Sequence, residues 1–140
     1  MPHEDPVAEV TRQWLKGARG DLALAKVEKP PLTPWELLCF HAQQAAEKGF
    51  KAVLVHFQVD FPKTHSIEDL IDILEGNGHP VPKILKRAAG LTSYAVGTRY
   101  PFDGGDKAHK TVAQSDLRRA IEIAETVVDW AETQLCKPRK

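Results

Sequence analysis

The densest chemistry in the 140-residue chain lies in one short stretch, Arg99-Tyr100-Pro101-Phe102, followed by His109. A guanidinium presents a planar fork of donors that matches a phosphate. A phenol ring offers a face on which a base stacks, and an imidazole passes a proton near neutral pH. Arg99, Tyr100 and His109 are therefore candidates for contact with a nucleotide or a phosphodiester. The same residues have a purely structural reading, in which Tyr100 and Phe102 seal the end of a helical bundle while Arg99 pairs with a carboxylate. A loop that carries bulky residues instead of Ser and Asn packs against something in either case.

Two further residues break the local pattern. Asp21 falls among Trp14, Ala18 and Ala25 on the apolar side of a helix. A carboxylate leaving water there needs a cation or several donors. It is either half of a structural ion pair or a site carboxylate that orients a Lys or Arg. Gln43 lies between Phe50 and Leu54 on the helical wheel, where a buried amide must find partners in the core or across an interface. Gln44, Glu47, Lys48 and Lys51 fall on the opposite side, with Glu47 and Lys51 spaced for an i,i+4 pair. His41 and His56 are too far apart to bind a metal together, and no His-x-x-x-His occurs. P-loop, Gly-x-Gly-x-x-Gly, nucleophile-elbow and Cys-x-x-Cys motifs are absent too, so neither a metal nor a cofactor is expected.

The elements that must position these residues are helices. Asp5-Pro6 starts the first, which the punctuation carries to about Val27, before Lys29-Pro30-Pro31. Thr33-Pro34-Trp35-Glu36 caps a second that runs to about Asp60. Ser66 opens a third, closed by Gly76-Asn77-Gly78. Pro82 starts a fourth that ends near Gly97, which leaves Arg99 in a loop. Thr111 and Gln114 form a capping box for the last, ending near Cys136. Strict apolar–polar alternation occurs nowhere, so the expected fold is all-α, an up-and-down bundle of about five helices. Residues 1–136 make one domain, and the basic tail 137–140 is expected to be solvated and frayed.

Composition narrows the function. With 42% apolar and 27% charged residues the chain is a folded domain, and 19 basic against 19 acidic residues give no net charge. That balance argues against coating a nucleic acid by bulk electrostatics. No apolar run approaches the roughly 20 residues that span a bilayer, and the first residues lack the pattern of a signal peptide. Cys39 and Cys136 suggest neither a disulfide framework nor a metal site, so a cytoplasmic location is expected.

The second helix carries one more signal. Leu38, Ala42, Ala45, Gly49 and Val53 form one apolar stripe, and Ala46, Phe50, Leu54 and Phe57 form its neighbour. Together they cover an arc of roughly 200°. Either this helix is central in the bundle, or one flank meets a second copy of the chain, with the small residues permitting close approach. A homodimer is the expectation.

Taken in order, Trp14, Ala18, Asp21-Leu22 and Ala25, then Ala42-Gln43-Gln44-Ala45-Ala46-Glu47-Lys48-Gly49-Phe50-Lys51-Ala52, then Lys63-Thr64-His65 with Leu70, then Arg99-Tyr100-Pro101, resemble the HEPN domain family over about residues 8 to 135. The resemblance implies a helical bundle, usually a dimer, associated with nucleotides and RNA. Many such proteins are paired with a minimal nucleotidyltransferase as toxin–antitoxin systems. Among the residues that carry the resemblance, Lys48 and His65 join Arg99, Tyr100 and Asp21 as ligand-binding candidates. Other members are metal-independent ribonucleases that need an Arg followed, after four to six residues, by a His. There the His is general acid or base at the ribose hydroxyl or leaving oxygen, and the Arg stabilises phosphate charge.

This chain departs from that nuclease pattern, because nine residues, Tyr100 to Ala108, separate Arg99 from His109. Asp103 and Asp106 would also oppose a phosphate. The first expectation is therefore a nucleotide- or RNA-binding partner of a nucleotidyltransferase. Second comes a ribonuclease with Arg99 and His109 as catalytic residues, and third a dimeric scaffold without a ligand.

Overall fold

The computed structural model describes residues 5–99 and 112–139, the stretch 96–99 as backbone only. Its described elements are α1 (Pro6–Ala25), α2 (Trp35–His56), α3 (Ile67–Gly76), a 3-10 helix (Lys83–Leu91), α4 (Thr92–Arg99) and α5 (Gln114–Leu135), with no strand among them. The expected all-α bundle is what forms.

Local chemistry explains the ends. At α1 the Asp5 carboxylate accepts the Val7 amide at 3.0 Å, with Pro6 in the first turn, where its missing N–H costs nothing. Ser66 Oγ accepts the Asp69 amide at 3.2 Å and caps α3. The third helix ends in a Schellman turn: His79 N bonds Leu74 O, Gly78 N bonds Glu75 O, and Gly78 takes φ 86°.

Four expectations need correction. The N-cap of α2 is Pro34, without a side-chain cap, so Thr33 lies one residue outside it. Its carbonyl instead takes the Lys29 ammonium at 2.9 Å. The same helix stops at His56, not Asp60, because Gln58 turns left-handed at φ 57° and Val59 N bonds back to Leu54 O at 2.9 Å. The single fourth helix is really two pieces, a 3-10 turn and α4. Thr92 starts the latter, its hydroxyl accepting the Ile67 amide at 3.1 Å, and Arg99 is the last residue of α4, not part of a loop. At α5 the cap is Ala113, whose amide donates to Asp116 Oδ2 at 2.8 Å; Thr111 lies outside the described residues.

The described part of the tail contacts the rest of the chain. His56 Nε2 donates to the Lys137 carbonyl at 2.8 Å, and Arg139 pairs with Asp5, joining the two ends of the chain.

Helix α2 is the axis of the molecule. It packs against α1 and α5 along its length and touches α3, α4 and the 3-10 helix as well. Fourteen of its residues are buried, including Ala42, Ala45, Ala46, Phe50, Val53 and Leu54. Complete burial of a side chain such as Phe50 or Leu54 contributes about 1.5–3 kcal/mol. A Cβ added to Gly49 would lie 3.2 Å from Val127 Cγ1, so glycine at 49 sets the close approach of α2 to α5. The wide apolar arc is thus used up inside one chain, and it no longer argues for a second copy.

Candidate functional site

Burial of α2 carries polar side chains inward with the apolar ones, and two carboxylates organise them along the α1–α2 seam. Asp21, on α1, is 12% exposed and gives one oxygen to each of two partners on α2. Its Oδ2 accepts from Lys48 Nζ at 2.6 Å and its Oδ1 from His41 Nδ1 at 3.1 Å. The stem of Lys48 lies flat on α1 because position 17 is glycine: a Cβ there would stand 3.2 Å from Lys48 Cδ. The structural ion pair expected at Asp21 is present, and its partners still reach solvent, Lys48 at 29% and His41 at 31%.

The second carboxylate, Glu47, is nearly closed to water. It accepts from Lys51 Nζ at 2.8 Å, Gln43 Nε2 at 2.9 Å and His65 Nδ1 at 3.1 Å. Gln43 in turn accepts from Gln44 at 2.7 Å, so the buried amide is satisfied within the core. Lys51 Nζ also sits 5.4 Å from the Trp14 ring centre and 5.9 Å from that of Phe61. Glu47 and Lys51 therefore face inward, contrary to the solvent side expected for them. The helical wheel fails here because α2 is surrounded, so its polar stripe is covered by α1 and the α2–α3 connection.

Of the residues singled out in the sequence, Asp21 and Lys48 meet directly. His65 attaches to the other carboxylate, its ring half-exposed. Arg99 closes α4, while Tyr100 and His109 lie outside the described residues, as does any approach of His109 to Arg99. The sequence reading missed His41 and Gly17. Their signal was geometric: His41 and Lys48 are two turns apart on one face of α2, opposite Asp21.

A separate groove of about 660 Å³ lies between the 3-10 helix and α5, lined in part by Arg87, Tyr94, Arg119, Asp116 and Glu122. Two guanidinium groups and two carboxylates share its lining. Near the start of α2, burial pushes the Cys39 thiol up to about 11, with the Asp116 carboxylate adding to the rise. No group of three or more His, Cys, Asp or Glu able to hold a metal occurs among the described residues, and no helix there is long and apolar enough to cross a membrane.

An all-helical bundle around a central helix, with carboxylate-held Lys and His side chains along one seam, defines the class of protein. The HEPN domain family model matches residues 11–134. The crystal structure of an archaeal HEPN homologue is similar at 30% identity and a TM-score of 0.63, over 89% of this chain and 97% of that one. No curated protein matches. The chain belongs to the HEPN family.

Proposed function

We propose that this HEPN protein binds a nucleotide or RNA through its phosphate, as the partner of a minimal nucleotidyltransferase in a two-gene, toxin–antitoxin-like system, and that it works as a homodimer, the last on the family likeness alone. The observation that carries the reading is Lys48. Its ammonium is part-exposed and held by Asp21, so a cation stands fixed at the surface and little order is lost when an anion docks. Arg99, at the end of α4 and next to Tyr100, supplies a second cation beside an aromatic ring in the sequence. Zero net charge fits a local phosphate contact and not a broad one.

Calorimetric titration with ATP, GTP and a short RNA tests this. Lys48→Gln and Arg99→Ala should each weaken binding roughly tenfold or more, the worth of a charge-assisted hydrogen bond. Flat titrations with all three ligands refute the reading and leave the dimeric scaffold. Cleavage of RNA without added metal, abolished by His109→Ala, would instead establish the ribonuclease with Arg99 and His109. Sedimentation at micromolar concentration tests the dimer.

A further inference from the structure

The Asp21 cluster fixes more than a cation. A carboxylate only accepts hydrogen bonds, so the hydrogen between Asp21 Oδ1 and His41 lies on Nδ1. In the neutral ring that leaves Nε2 as a lone-pair acceptor. Nε2 has no hydrogen-bond partner among the described residues, and the side chain is open to solvent. The ring cannot turn freely: Asp21 holds one edge, and the Phe40 ring stands against it edge-on with centres 5.6 Å apart. Through its other oxygen Asp21 holds the Lys48 ammonium at 2.6 Å. One carboxylate thus anchors both a hydrogen-bond acceptor and a cation, on residues two turns apart on α2. Both of its own oxygens are engaged, so Asp21 positions the pair rather than meeting a ligand.

The complement of such a pair is a hydroxyl donor next to an anion, which is what a ribose and its phosphate offer. We propose that His41 Nε2 accepts a ribose 2′-hydroxyl from the ligand whose phosphate Lys48 holds, so that the site prefers ribonucleotides to deoxyribonucleotides. This rests on the phosphate-binding reading above and adds to it the sugar. The 2′-hydroxyl is the group that separates RNA from DNA. Because the His41 side chain is part-exposed, water can take the place of a missing hydroxyl, and the discrimination is modest, roughly tenfold.

The experiment compares RNA and DNA of the same short sequence, and ATP with dATP, by calorimetry on the full chain. Wild type should bind the ribose forms about tenfold more tightly. His41→Ala should bring the ratio to one, and His41→Gln should restore part of it through the amide oxygen. Lys48→Gln should weaken both forms and leave the ratio in place. Asp21→Asn should lower the ratio, and ¹⁵N spectra of the His41 ring should then show loss of the Nδ1–H form, which a merely structural role for Asp21 would not explain. Thermal melts establish that each variant is folded. Equal binding of RNA and DNA by wild type, or a preference that survives in folded His41→Ala, overturns the inference and leaves phosphate binding standing. Failure of wild type to bind either overturns the proposed function and this inference with it.

Discussion

Glu47 and Lys51 face each other across one turn of α2, Oε2 to Nζ 2.8 Å, with both residues buried, 2% and 7% exposed. An ion pair on a helix surface contributes a few tenths of a kcal/mol; this one is enclosed. Its charges have left water, and their stability rests on mutual attraction and on the donors from Gln43 and His65. Removing one partner strands the other. Glu47→Ala and Lys51→Ala should each destabilise the fold by about 3–5 kcal/mol. The double change Glu47→Leu with Lys51→Met should cost less than either single one, since two matched apolar groups leave no orphan charge. Urea denaturation of the three variants measures this, and additivity of the two losses would show that the pair is solvated after all.

Gly49 should tolerate no large side chain, for a reason inside the chain. Its Cα faces Val127 on α5, and a leucine there must push the two helices apart. Gly49→Leu should cost about 1–3 kcal/mol of stability. Val127→Ala should recover part of that when combined with it, even though alone it opens a cavity. Melting temperatures of the two single variants and the double variant give the coupling, and strictly additive losses would place position 49 away from α5.

How far the sequence could carry these conclusions depended on which residues had a local cause. Asp5-Pro6, Ser66 and Gly78 act on their own neighbours, so their capping and turning roles were readable from position alone. The ends of α2 were not. Gln58 adopts the left-handed backbone that a sequence reader reserves for Gly or Asn, and beyond it Val59 bonds back to Leu54 and packs, partly buried, against the core. The break at Thr92 likewise depends on a hydroxyl reaching Ile67, 25 positions away. In the site, Asp21 was conspicuous because a carboxylate stood in an apolar stripe, and Lys48 came with the family's block of residues. His41 shows no metal-ligand spacing, and its partner is a carboxylate on another helix, which one-dimensional spacing does not reveal. Glu47 and Lys51 read as a wet surface because the wheel shows a polar side but not what covers it.

The left-handed Gln58 has a consequence for stability. Its backbone stands at φ 57°, where a side chain with a Cβ is strained by roughly 1–2 kcal/mol relative to glycine. The extra freedom of glycine in the unfolded chain offsets part of that. Gln58→Gly should therefore raise stability by about 0.5–1 kcal/mol, and Gln58→Val, branched at Cβ, should lower it. Chemical denaturation decides; a destabilised Gln58→Gly would mean that the side chain contributes contacts that outweigh the strain.

Cys39 and Tyr94 link the buried end of α2 to α4 and give the fold a sensitivity to alkali. Burial pushes the Cys39 thiol up to about 11 from 9.0, the Asp116 and Glu36 carboxylates add to the rise, and a hydrogen bond with Tyr94 opposes it. The Tyr94 hydroxyl is raised as well, first by burial and then by the neighbouring Cys39 and Asp116. Both groups hold their protons more tightly folded than unfolded, so the unfolded chain loses them first as pH rises. The stabilisation is then complete below about 9 and drains away as pH climbs toward 11. The melting temperature should fall over that window, and Cys39→Ala should make the decline shallower although it lowers stability at neutral pH. The same burial predicts a difference between the two free thiols. At pH 8 exposed Cys136 should react with a thiol reagent in the native protein, and Cys39 only after unfolding. Rapid titration of two thiols in the native state would show that the pocket of Leu38, Leu117 and Tyr94 around Cys39 is open.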